Sequence, residues 1–71
     1  MKASQFERAI DRLDLPRSDV ALLLGVDGST IRRWVSGDRE VSGTAVQLLK
    51  LVDAAGWSGV QALQKLGKNN D

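Results

Sequence analysis

The run 17-RSDVALLLGVDGSTIRRWVSG-37 decides the fold. It holds two short apolar-periodic stretches separated by Gly25-Val26-Asp27. In the first, Val20, Ala21, Leu23 and Leu24 supply an apolar helix face, and Pro16 just ahead suits the start of that helix. Asp19 falls in its first turn, where a carboxylate complements the helix dipole. Gly25 ends it, the usual residue for a left-handed C-terminal position. Val26 then turns inward, and Asp27 is a good N-cap for a helix from Gly28 to about Ser36. Ile31, Trp34 and Val35 form the buried stripe of that helix at i, i+3 and i+4, and Gly37-Asp38 makes a turn.

The helical period continues on both sides. Upstream, Phe6, Ile10 and Leu13 follow i, i+4 and i+7 with Ala9 on the same side. Ser4 and Glu7 have capping-box spacing, so a first helix is expected from about Gln5 to Leu13. Asp14-Leu15-Pro16 breaks it, because proline disfavours a helical residue before it. Downstream, Ser42 caps a fourth helix with Ala45, Val46, Leu48, Leu49 and Val52 as its apolar residues, and Gly56 stops it. Ser58 with Gln61 is a second capping box, opening a fifth helix with Val60, Leu63 and Leu66 inward. Gly67 ends that helix. The segment Arg39 to Ser42 is too short to read as a strand, and the chain has neither internal repeats nor low-complexity stretches. The expected fold is all-α: a small five-helix orthogonal bundle forming one domain over residues 1–67, with a frayed tail at 68–71.

Composition narrows the function. A chain of 71 residues is one domain, and at this size stability needs a staple, a metal, very good helix packing or a partner subunit. There are no cysteines and no histidines, which removes disulfides, thiolate ligands, the commonest zinc ligand and the commonest general base. No metal and no cofactor is expected. The serines have no histidine to activate them, so the chain does not read as an enzyme. Asp11 and Asp14 lie i, i+3 beside Arg8 and Arg12, which reads as helix-surface ion pairing rather than a catalytic carboxylate pair. Gly25 to Gly28 lacks the preceding strand and the lysine of a phosphate loop. The N-terminal segment is polar and amphipathic rather than a signal peptide, and no apolar run approaches the ~20 residues of a membrane span. A soluble, cytoplasmic protein is expected. Net charge is only +1, so a nucleic-acid-binding surface would require the charges to be sorted onto faces.

Two short helices joined by a tight glycine-containing turn form a helix-turn-helix arrangement. Ala21 is small where the second helix of the motif crosses the first, and Val26 fills the space beneath the turn. The frame of Ala21, Gly25, Val26, Ile31, Trp34 and Gly37 resembles the helix-turn-helix of phage repressor and Cro-type (Xre-like) DNA-binding proteins, a lambda repressor-like fold. The resemblance covers roughly Gln5 to Val52. It departs at Pro16 and Arg17, where many members carry Ser-Gln and place the glutamine on a phosphate; Arg17 can replace that contact.

The resemblance implies that the exposed face of the third helix lies in the major groove of double-stranded DNA. With Ile31 and Trp34 inward, that face is Gly28, Ser29, Arg32, Arg33 and Ser36, the expected base-contacting set. Arginine offers two donors to guanine O6 and N7, and Gly28 lets the backbone approach closely. An isolated arginine pair is ordinarily a solvated helix face; within this frame it reads as a recognition surface. Phosphate contacts are expected from the edges, at Arg17, Ser18, Thr30, Arg39 and Thr44. Trp34 is in phase with Ile31 and reads as core rather than as a base-stacking platform. Asp27, Asp38 and Glu40 lie near this face; Asp27 caps the helix, while Asp38 and Glu40 either orient Arg39 or Arg33 or repel wrongly placed phosphates.

The resemblance further implies a homodimer on an inverted-repeat operator, with half-sites about one helical turn, ~34 Å, apart. Leu51, Trp57, Val60 and Leu63 are the expected dimer surface, and Trp57 reads equally as a staple for the fifth helix. The expected function is a sequence-specific transcriptional regulator with no small-molecule ligand: an autoregulating repressor of a phage or mobile-element operon, of which an anti-CRISPR-associated regulator is one type that no residue singles out. Two other classes remain open. One is an antitoxin-like or other protein-interaction module on the same fold, marked by an apolar patch around Trp57 left exposed in the homodimer. The other is a nonspecific architectural binder with steep salt dependence and little sequence preference.

Overall fold

The computed structural model describes residues 1–66; the expected stop at Gly67 and tail at 68–71 lie outside the described residues. It contains five helices: α1 (Ala3–Asp11), α2 (Arg17–Leu24), α3 (Gly28–Ser36), α4 (Gly43–Ala55) and α5 (Gly59–Leu66). No strand occurs among the described residues. No described helix is long and apolar enough to cross a membrane.

Local chemistry sets most helix ends. The Asp27 carboxylate accepts from the Thr30 N–H and opens α3, and Ser42 Oγ accepts from the Ala45 N–H and opens α4. At α5 the capping box is complete: the Gln61 N–H donates to Ser58 Oγ at 3.2 Å, and the Ser58 N–H donates to Gln61 Oε1 at 3.0 Å. Gly25 closes α2 with φ +71°; the Val26 N–H donates to the Ala21 carbonyl at 3.0 Å and the Gly25 N–H to Leu22 at 3.2 Å. Gly56 repeats this closure after α4, with the Trp57 N–H on the Val52 carbonyl.

Helix α1 sits two residues earlier than the sequence suggests. The Lys2 N–H donates to Gln5 Oε1 at 2.9 Å, which fixes the start there and leaves Ser4 inside the first turn, so Ser4 and Glu7 are not the capping pair. At the other end, Leu13 and Asp14 bond back three residues, to Ile10 and Asp11, and Asp14 adopts φ +57°. This tightened turn ends the helix at Asp11 and still delivers Leu13 to the core. Pro16 stands one position outside α2, with ψ 152°, and its carbonyl accepts from the Asp19 and Val20 N–H groups.

Helix α3 packs on α1 and α2, and α2 also packs on α5. Phe6, Ile10, Val20, Ile31 and Trp34 form the centre of one core, to which Ala45, Leu49 and Val52 of α4 add their buried faces. The Phe6 and Trp34 rings meet edge to face with centroids 5.5 Å apart, the arrangement an aromatic quadrupole favours. No polar side chain is buried among the described residues. Val41, in the short segment between α3 and α4, is buried as well.

The inward face of α5 differs from the expected one. Gly59, Ala62 and Leu63 face the core, while Val60 and Leu66 are exposed. The cause is a close approach: a Cβ on Gly59 would collide with the Leu13 carbonyl oxygen and lie 2.8 Å from Leu15 Cγ. Helix α5 rests on the α1–α2 loop through its smallest residues, which turns Val60 outward.

Candidate nucleic-acid interface

The outward face of α3 carries Ser29, Arg32, Arg33 and Ser36, opposite the buried Ile31 and Trp34. With Arg17 from the start of α2 and the half-buried Val35, these side chains line one shallow groove. The structure thus brings Arg17 to the expected base-contacting stripe. No carboxylate lines the groove, so the three guanidinium groups are concentrated on a chain that is almost neutral overall. Arg17 also lies 3.8 Å from the Glu7 carboxylate across the α1–α2 junction, with both side chains about half exposed. A pair that open to water is worth well under about 1 kcal/mol and yields readily to a phosphate.

Gly28 is the first residue of α3 and is exposed; a Cβ there would meet nothing within 4 Å. Ser18 and Thr44 are exposed in the first turns of α2 and α4, and Arg39 is exposed just past Gly37. These three side chains stand outside the groove lining.

The hydroxyl groups of α3 are more committed than the sequence reveals. One oxygen of Asp27, Oδ1, accepts from the Thr30 N–H at 2.9 Å, the Thr30 hydroxyl at 2.7 Å and the Ser29 hydroxyl at 3.0 Å. These bonds, first those from Thr30 and then that from Ser29, with a smaller contribution from the Arg33 charge, lower the Asp27 pKa from 3.8 to about 2. Both donors of Thr30 therefore point at Asp27, which leaves none for a phosphate. Ser36 is engaged at the other end: its hydroxyl donates to the Arg33 carbonyl at 3.1 Å and accepts from the Asp38 N–H at 3.3 Å. The hydroxyl fastens the turn after α3. The sequence signal for the first arrangement was available, since serine and threonine directly follow an Asp-Gly helix start.

Arg17–Glu7 is the one ion pair among the described residues. Asp11 and Asp14 are therefore not in ionic contact with Arg8 and Arg12, and neither Asp38 nor Glu40 orients Arg33 or Arg39 through a salt bridge. Asp11 and Asp14 bracket the C-terminal turn of α1, where the backbone rather than charge pairing sets their positions.

Several large apolar side chains are exposed: Leu51 on α4 at 56%, Val60 near the start of α5 at 55%, and Leu66 at its end. Trp57 is half-buried against the core, with the Lys65 ammonium 5.9 Å from its ring centroid. Leu63, expected at a dimer surface, is instead buried in the monomer core. Leu22 on α2, which the sequence reading passed over, is the most exposed large apolar residue at 66%.

Comparison of the chain with protein-family models, curated proteins and solved structures finds no match.

Proposed function

We propose that the protein is a sequence-specific, double-stranded-DNA-binding transcriptional regulator that places α3 in the major groove. The observation that carries this reading is the α3 face itself. Ile31 and Trp34 fix one side of the helix in the core, and the other side presents Arg32 and Arg33 beside Arg17 in a groove whose own lining holds no carboxylate, with Glu7 against Arg17 and Asp27 against Ser29 at its edges. A helix fastened on one side and cationic on the other has the form a major-groove reader requires. Arg33 and Arg32 are assigned to base edges. Arg17 beside them, and the exposed Ser18, Arg39 and Thr44 outside the groove lining, are the candidates for phosphate.

In this reading the protein acts as a homodimer on an inverted repeat, paired through the apolar surface of Leu51, Val60 and the exposed edge of Trp57. The test is binding to the DNA upstream of the protein's own gene against scrambled DNA at fixed salt. Preference for the upstream DNA, with a loss of about 1–3 kcal/mol in Arg33→Ala, supports base readout. Equal, weak binding to both DNAs that is indifferent to the mutation overturns it.

A second reading is a module that grips a protein partner, for which the exposed Leu51 and Val60 are the residues to test. Val60→Asp separates the two. If Val60 pairs copies of the chain, sedimentation shows the mutant as a monomer and its DNA binding falls, while the substitution at this exposed position changes the folding stability of the monomer itself by no more than about 0.5 kcal/mol. A wild-type chain that sediments as monomer at every concentration removes the dimer and favours the partner-binding module.

A further inference from the structure

The arginines of α3 are donors and cannot be otherwise. Ser29 is different, because a free serine hydroxyl either donates or accepts. In this fold it has no such freedom. Its proton is directed to Asp27 Oδ1 at 3.0 Å, and an ionised carboxylate only accepts, so the hydroxyl must be the donor. The same argument fixes the Thr30 hydroxyl, at 2.7 Å from the same oxygen. Asp27 remains a carboxylate throughout the neutral range, since its pKa is held at about 2. What Ser29 shows to the groove it shares with Arg17, Arg32 and Arg33 is therefore oxygen lone pairs alone. Guanine O6 and N7, thymine O4 and phosphate oxygens are all acceptors and are repelled there, while the amino groups of adenine and cytosine are the donors the major groove offers.

We propose that Ser29 is a specificity-determining residue that accepts a hydrogen bond from an exocyclic amino group, so that the N-terminal end of α3 selects adenine or cytosine while Arg32 and Arg33 select acceptor-rich edges. This rests on the reading of α3 as the major-groove helix. The polarity is set by Asp27, which acts on the base through Ser29 and is a positioning residue.

The experiment starts from a consensus selected by the full chain out of a random duplex pool. Single amino groups are then deleted, with purine in place of adenine or 2-pyrimidinone in place of cytosine. Single N7 acceptors are removed with 7-deazapurines. Each duplex is titrated with wild type, Ser29→Ala and Ser29→Thr. The expected result is one position per half-site where loss of the amino group weakens wild type and Ser29→Thr by up to about tenfold and leaves Ser29→Ala unchanged. Coupling of Ser29 to a 7-deaza position instead, or to no position, overturns the proposal. Failure of wild type to select any consensus overturns the DNA-binding reading itself, which is a different result from a consensus indifferent to Ser29. Ser29→Ala leaves both Thr30 bonds on Asp27, so the cap of α3 persists; a melting curve checks this for the variant.

Discussion

Helices α3 and α5 begin alike and end up doing opposite work. Each opens with a polar cap followed by glycine, Asp27-Gly28 in one and Ser58-Gly59 in the other. At α5 the glycine is buried, and a side chain there would strike the Leu13 carbonyl. At α3 the glycine faces open space. The outer faces differ as well: α3 shows Arg32 and Arg33, whereas α5 shows Val60 and Leu66. The same residue at the same helical position is dictated by packing in one helix and by nothing within the described chain in the other. The start of α3 is left open to solvent, whereas the start of α5 is held against the α1–α2 loop.

The contrast is open to direct attack. The largest effect is expected from Gly59→Ala. Its Cβ meets backbone rather than a flexible side chain, so the α1–α2 loop or α5 must shift, at a cost of up to about 3 kcal/mol. For a domain whose whole stability is about 4–10 kcal/mol, thermal melting will show a large loss. A melting temperature unchanged from wild type would mean that α5 does not rest on Leu13 as described.

Gly28→Ala is the counterpart and is expected to act in the other direction. With open space around it, the substitution leaves the fold unchanged or stabilises it by about 0.4–1 kcal/mol through the unfolded chain. If the proposed DNA-binding reading holds, affinity for DNA falls nonetheless, because the added methyl would stand between the α3 backbone and the major groove. Unchanged affinity would remove Gly28 from the interface.

The smallest effect separates the two caps by their chemistry. Asp27 titrates, and Ser58 with Gln61 does not. The folded pKa of Asp27 lies below its ordinary value, so its contribution is complete above about pH 4 and is lost as pH falls toward about 2. Asp27→Asn keeps an N-cap but removes the charge. The stability difference between wild type and Asp27→Asn should shrink across that acid window, as read by melting at successive pH values. A constant difference would show that the carboxylate charge contributes nothing at the start of α3.

Much of this architecture was legible in the residues. Asp27, Ser42 and Ser58 announced three helix starts, and Gly25, Gly37 and Gly56 announced three stops, each at φ above +60°. The stripe of Ile31 and Trp34, and with it the outward placement of Arg32 and Arg33, followed from the 3.6-residue period. Arg17 was expected only as a phosphate contact at the edge of this surface, whereas the structure places it in one groove with Arg32 and Arg33. Less was legible where small or isolated residues decide. Val60, Leu63 and Leu66 suggested one stripe, but the helix buries Gly59, Ala62 and Leu63, since glycine and alanine carry little hydrophobic signal. Val41 stood alone between polar neighbours and offered no period to read. The start of α1 was misplaced because the side chain of Gln5, rather than that of Ser4, found the free N–H.

The sequence alone determined where the chain turns helical and where it stops, and which face of α3 is apolar. Those outcomes depend on caps, backbone angles and side-chain spacing within about one helical turn. Only the tertiary structure decided that α5 turns Gly59 and Ala62 inward with Leu63 while Val60 and Leu66 stay exposed, and that Arg17 joins the α3 groove. Burial is a property of what arrives from elsewhere in the chain. The Leu13 carbonyl rotates α5, and the packing of α2 on α3 brings Arg17 to Arg33, and neither event leaves a local mark in the residues it moves.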